Sequence, residues 1–178
     1  MRYVTEPTPG SPGDLEEDAD PEQVARTILL RRLSAAPRTR SELRTDLLRR
    51  GVPEDVADRV LDRFTEVGLI DDSAYAQLWV DSRQRTRGSA RGVLRQELRS
   101  KGVSEDDAAV ALEGIDDDAE RARAVQLVQV KMRSMQRLEP KVRARRLVSM
   151  LMRRGYRQGT ALSVVTEVLG ELPDGQDD

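Results

Sequence analysis

The chain has 178 residues, 35% of them charged and only 3% aromatic, with neither cysteine nor histidine. That composition excludes disulfides, thiolate and imidazole metal sites and most nucleophile–base pairs, and leaves Leu, Val, Ala and Met to build any core. The formal net charge of −2 hides a segregation: residues 1–20 hold six acids against Arg2, and residues 173–178 add three aspartates. Residues 21–171 carry a surplus of +6, and over 120–158 twelve basic residues face only Glu120 and Glu139. A basic body with acidic tails is expected.

No apolar run approaches the roughly 20 residues needed to span a bilayer, and the acidic start does not read as a signal peptide. The expectation is a cytoplasmic protein. Residues 1–20, rich in proline, glycine and acids, read as a disordered tail. An acidic arm competing with a polyanion for the basic body is the sharper reading of that segment.

From Pro21 to Ile70 the pattern predicts three helices. Pro21 follows Asp20 at a first helical position, and Val24, Ile28 and Leu29 begin an apolar stripe. Ala35-Ala36-Pro37 breaks it. Ser41 starts a second helix that ends at Gly51, with Arg49 and Arg50 in its last turn. Pro53-Glu54-Asp55 opens a third, striped by Val56, Val60, Leu61 and Phe64 and ended by Gly68.

Residues 71–115 predict three more helices. Asp71 or Asp72 caps a helix that carries Tyr75, Trp79 and Arg83 at four-residue spacing. Ser89 is expected to cap the next, through Leu94, Leu98 and Gly102. Ser104 caps the last, with Ala108, Ala111, Leu112 and Ile115 in phase. Residues 116–172 follow suit: Asp117 or Asp118 opens a helix through Val125, Val128 and Met132. Pro140 starts a second that ends at Gly155, and Ala161, Val164, Val165 and Val168 mark a third.

A common unit underlies this order. Gly51, Gly102 and Gly155 lie 51 and 53 residues apart. Each has leucine four and eight residues before it: Leu47 and Leu43, Leu98 and Leu94, Leu151 and Leu147. A basic residue precedes each glycine, and Val52, Val103 or Tyr156 follows. The expected fold is all-α: three tandem three-helix repeats, 21–70, 71–115 and 116–172, in an elongated, curved array flanked by acidic tails.

Catalysis finds little to use. Gly88 and Gly92 lack the downstream pattern of a phosphate loop, and Asp116-Asp117-Asp118 suits helix capping better than a magnesium site. No enzyme, cofactor or metal is expected. Tyr75 and Trp79 read first as core anchors, with a stacking platform for single strands as the alternative. The informative residues are basic. Helix propensity and local ion pairs account for Arg44 or Arg63, but not for the surplus over 120–158, which points to a polyanionic or acidic partner. Arg83, Arg91, Arg95 and Lys101, with Arg143, Arg145, Arg146, Arg153 and Arg154, are the candidate partner- and DNA-binding residues.

The run Asp72-Ser-Ala-Tyr75-Ala76-Gln-Leu-Trp79-Val80-Asp-Ser-Arg83, then Gly88, then Leu94-Arg-Gln-Glu97-Leu98-Arg-Ser-Lys101-Gly102-Val103, resembles the signature of the RecX family, bacterial regulators of the RecA recombinase. The resemblance is strongest over 72–103 and leaves residues 1–20 outside it. It implies tandem three-helix units without a catalytic centre. It also implies binding to the RecA–DNA filament, inhibiting strand exchange, ATP turnover and coprotease activity, and so modulating homologous recombination and the SOS response; a monomer is expected. A stand-alone helical DNA-binding protein is the competing expectation. A metal-dependent nuclease is a third, for which the sequence offers no clustered acids.

Overall fold

The computed structural model describes residues 20–170, which are all-α. Both acidic tails read from the sequence lie outside the described residues, save Asp20. The helices in chain order are α1 Pro21–Ala35, α2 Arg40–Arg49, α3 Glu54–Glu66, α4 Asp72–Arg87, α5 Arg91–Ser100, α6 Glu105–Ala111, α7 Asp117–Arg133, α8 Pro140–Arg153 and α9 Gln158–Leu169. No helix among the described residues is long and apolar enough to cross a membrane.

The described chain divides into two compact units. One runs through Pro37 and adds Leu43–Ile70; the other comprises Arg38–Glu42 and the chain from Asp71 onward. The first unit buries Ala25, Leu29, Leu43, Leu47, Val60, Leu61 and Phe64 in one cluster from α1, α2 and α3. Outside it, Arg44 pairs with Asp58 and Glu54 on α3. The second unit holds two clusters. Tyr75, Ala76, Val80, Leu94, Leu98 and Leu112 belong to α4–α6, whereas Val128, Leu147, Leu151, Tyr156, Val164 and Val165 belong to α7–α9.

The glycine-centred unit has one geometry at all three places. Gly51, Gly102 and Gly155 have φ of 80°, 78° and 90°, the left-handed region that glycine enters without a Cβ penalty. The next residue's N–H then reaches back to the leucine four before the glycine. Val52 N bonds Leu47 O at 3.2 Å, Val103 N bonds Leu98 O at 3.1 Å and Tyr156 N bonds Leu151 O at 3.2 Å. This six-to-one bond closes the orphan carbonyls of the helix end and folds the following apolar side chain onto the leucine. All six leucines of the pattern are fully buried, and Val52, Val103 and Tyr156 are buried too. Each such leucine contributes about 1.5–3 kcal/mol of burial.

Two helix starts, of α2 and α5, differ from the sequence expectation, and for α4 and α7 the structure selects among the aspartates it offered. The second helix begins at Arg40, not Ser41, because Thr39 and Glu42 form a reciprocal capping box: Thr39 Oγ1 accepts from Glu42 N, and Glu42 Oε2 from Thr39 N. Asp71 rather than Asp72 caps α4, accepting from Ala74 N at 2.8 Å. Asp116, ahead of Asp117 and Asp118, caps α7. Ser89 does not cap α5. Its N-cap residue is Ala90, and the Arg91 N–H donates instead to Glu120 Oε2 of α7 at 2.7 Å. A carboxylate from a distant helix takes the place that the sequence assigns to a hydroxyl next door.

Among the described residues, that bond and three others join the end of α4, the α4–α5 turn and the start of α5 to the α7–α9 part. Ala90 N donates to Arg154 O at 2.9 Å, Tyr156 Oη to Gly88 O at 3.0 Å and Arg123 Nη2 to Gln84 O at 2.8 Å. Ala90 is buried in the α7–α9 cluster rather than in its own. These contacts fix α8, with its run of arginines, against the rest of the second unit.

Candidate functional site

The basic residues nominated from the sequence fall into three settings. Arg83 and Lys101 flank the single tryptophan. The Arg83 guanidinium lies 4.1 Å from the Trp79 ring centre and Lys101 Nζ 4.3 Å from it, both within cation–π range. Glu97 ties this together, accepting from Trp79 Nε1 at 2.7 Å and from Arg83 Nε at 3.0 Å. Lys101 Nζ donates to Glu42 at 2.8 Å, and its own carbonyl accepts from Thr39 Oγ1. Burial alone lowers the Lys101 ammonium, but Glu42 and Tyr75 outweigh it and hold the pKa above its ordinary value. The rings of Tyr75 and Trp79 stack at 6.0 Å, and Tyr75 is buried. Both read as core anchors covered by cations, as expected first.

Arg91 and Arg95 occupy a second setting. They line a concavity with Asp117, Asp118 and Glu120 of α7 and with Arg157 of the α8–α9 turn. Arg95 also pairs with Glu105 at 3.2 Å. The Arg91 Nε is sealed from solvent and has no hydrogen-bond partner. Carboxylates and guanidiniums alternate here, so the concavity is locally close to neutral.

The third setting is different in kind. Arg145, Arg146 and Arg153 are exposed on α8, and among the described residues none of them forms an ion pair. They line adjoining concavities with Lys131 and Met135. Arg143 on α8 and Arg154 at its C-cap are half-buried: the Arg143 Nε is enclosed without a partner, and Arg154 reaches the Met150 sulfur at 3.6 Å. The structure therefore brings Arg145, Arg146 and Arg153 together and assigns Arg83 and Lys101 to internal pairs.

Lys131, Arg133 and Arg137 join this surface without having been nominated. The signal was present in the charge surplus over 120–158, which counts all three. Lys131 and Arg133 end α7 and Arg137 lies in the α7–α8 connection, so only the folded chain sets them beside α8.

The comparisons with known proteins agree with this architecture. Residues 25–64 match the family model described as RecX, first three-helix domain, and residues 71–112 match RecX, second three-helix domain. The chain is 50% identical over 154 residues to Regulatory protein RecX of Mycobacterium ulcerans (strain Agy99), covering 86% of this chain and 89% of the relative. It is 46% identical over 162 residues to Regulatory protein RecX of Streptomyces coelicolor, covering 91% and 85%. The crystal structure of RecX from Lactobacillus salivarius shares the fold, with TM-score 0.71 at 20% identity over 83% of this chain and 96% of that one. A second crystal structure of regulatory protein RecX gives TM-score 0.67 at 27% identity over 84% and 71%. The chain belongs to the RecX family of regulatory proteins.

Proposed function

We propose that this protein regulates a RecA-type recombinase in the cytoplasm by binding its filament on DNA as a monomer. Binding inhibits strand exchange, ATP turnover and coprotease activity, and so tempers recombination and repair. The single observation that carries the reading is the carboxylate-free surface of Arg145, Arg146 and Arg153 on a chain of this family. Unpaired guanidiniums remain available to a polyanion or to acidic protein groups, and no desolvated internal partner must first be given up. Arg83 and Lys101 are held in pairs with Glu97 and Glu42 beside Trp79, so the contact is left to the α8 arginines.

The test is a titration of the protein into recombinase filaments on single-stranded DNA, following ATP hydrolysis and strand exchange. Inhibition is expected near stoichiometric levels, and replacing Arg145, Arg146 and Arg153 by glutamate is expected to abolish it at unchanged helical content. No effect of the unaltered protein overturns the reading. Tight binding to bare duplex without any effect on filaments would favour a stand-alone DNA-binding protein instead.

A further inference from the structure

The two concavities beside Arg146 form one trough. Both are lined by Lys131, Met135 and Arg146, with volumes of about 490 and 340 Å3. Toward the α8 C-terminus the trough continues along Arg145, Ser149, Met150 and Arg153. Toward the α7–α8 connection it continues along Arg133, Arg137 and Leu138. Arg146, Ser149, Met150 and Arg153 are spaced i, i+3, i+4 and i+7, so they form a single stripe along α8. Arg146 and Arg153 are two turns apart, about 10.5 Å along the axis.

Two features distinguish this trough from a bare phosphate grip. Its floor is apolar, built from Met135, Leu138 and Met150, the first two half-buried against solvent. Arg146 and Arg153 stand about 10.5 Å apart along α8 with Met150 between them, rather than side by side on one anion. Methionine adapts to irregular apolar partners, and apolar helices dock in such grooves through residues at i, i+3, i+4 and i+7.

We propose that the α7–α8 trough receives an acidic amphipathic helix from a partner protein. Carboxylates two turns apart on that helix meet Arg146 and Arg153, and its apolar side chains between them rest on Met135 and Met150. Lys131 and Arg145 flank the same helix. The filament reading supplies the partner's identity, and the chemistry of the trough supplies its form: the contact is with protein rather than with nucleic acid.

The probe is a fluorescent helical peptide of about 18 residues, five turns long. It carries glutamate at i and i+7 and leucine at i+3 and i+4. A scrambled peptide of equal composition, duplex DNA and single-stranded DNA are run beside it on the full chain. The helical peptide is expected to bind at least about tenfold more tightly than its scramble, and Arg146→Glu with Arg153→Glu to remove that margin. Met135→Gln is expected to weaken the peptide severalfold while leaving DNA binding within about twofold, its melting temperature confirming the fold. Arg153 is exposed and unpaired, so its reversal provides a second variant that leaves the core untouched.

Equal binding of both peptides, no binding of either, or DNA that competes for the trough and ignores Met135→Gln would each overturn the proposal. Filament inhibition is measured separately. Its absence alongside an intact peptide complex would sink the filament reading alone.

Discussion

The Tyr156 hydroxyl donates to the Gly88 carbonyl oxygen at 3.0 Å, so the residue that follows one helix-ending glycine is bonded to another such glycine 68 positions earlier. Gly88 ends α4 in the left-handed conformation, with φ of 58°. Removal of the hydroxyl leaves a buried carbonyl unpaired. Tyr156→Phe is expected to cost about 1–2 kcal/mol in denaturant unfolding.

The same hydroxyl has a pH signature. Burial, with the nearby Glu120 charge second, pushes the Tyr156 phenol up to about 12 from an ordinary 10.0. The folded state thus favours the neutral form. Its contribution is fully present below pH 10 and is lost as pH rises from 10 towards 12. Unfolding free energies measured across that window should fall more steeply for the natural chain than for Tyr156→Phe; parallel curves would contradict this.

The three equivalent glycines should differ when replaced by alanine. At Gly51 a Cβ meets nothing within 4 Å, leaving only the left-handed strain of about 1–2 kcal/mol. At Gly155 a Cβ would fall 2.1 Å from Val93 Cγ2, and at Gly102 it would fall 2.2 Å from Ser41 Cβ. Gly155→Ala and Gly102→Ala are therefore expected to destabilise the chain more than Gly51→Ala, by denaturant midpoint at constant m-value.

Glu97 accepts from Trp79 and Arg83 at once. Glu97→Ala strands an indole N–H and a guanidinium, at about 1.5–3 kcal/mol. Because Trp79 is the single tryptophan, the change should appear directly in its fluorescence. An unchanged spectrum would show that the carboxylate does not hold the ring.

Glu120→Ala should cost about 1 kcal/mol through the lost cap of α5. Ser89→Ala should cost less, since Ala90 and not Ser89 occupies the N-cap. Thermal melts of the two variants decide between a cap from the adjacent residue and one from a distant helix.

The contrast between these two residues marks where local pattern stops being informative. Leucine at minus four and minus eight with glycine at zero specifies a helix, its buried stripe and its end using neighbours alone. Those forces act within a turn or two, so Gly51, Gly102 and Gly155 could be read directly. Proline, aspartate and serine starts, such as Pro21, Asp71 and Ser104, belong to the same class. The charge surplus over 120–158 likewise reported that basic residues exceed their local partners.

Tertiary structure decided which cations remain unpaired. Arg83 and Arg146 are alike in sequence, yet Glu97 arrives from the next helix to pair with Arg83, and among the described residues no carboxylate reaches Arg146. Only packing sets that distance, because the partners lie on different helices. It also gathered Lys131 and Met135 beside Arg146, turning a helix stripe into a trough. The sequence by itself determined the helical unit and the sign of the surface. The folded chain determined where that charge is free, because pairing depends on separation in space.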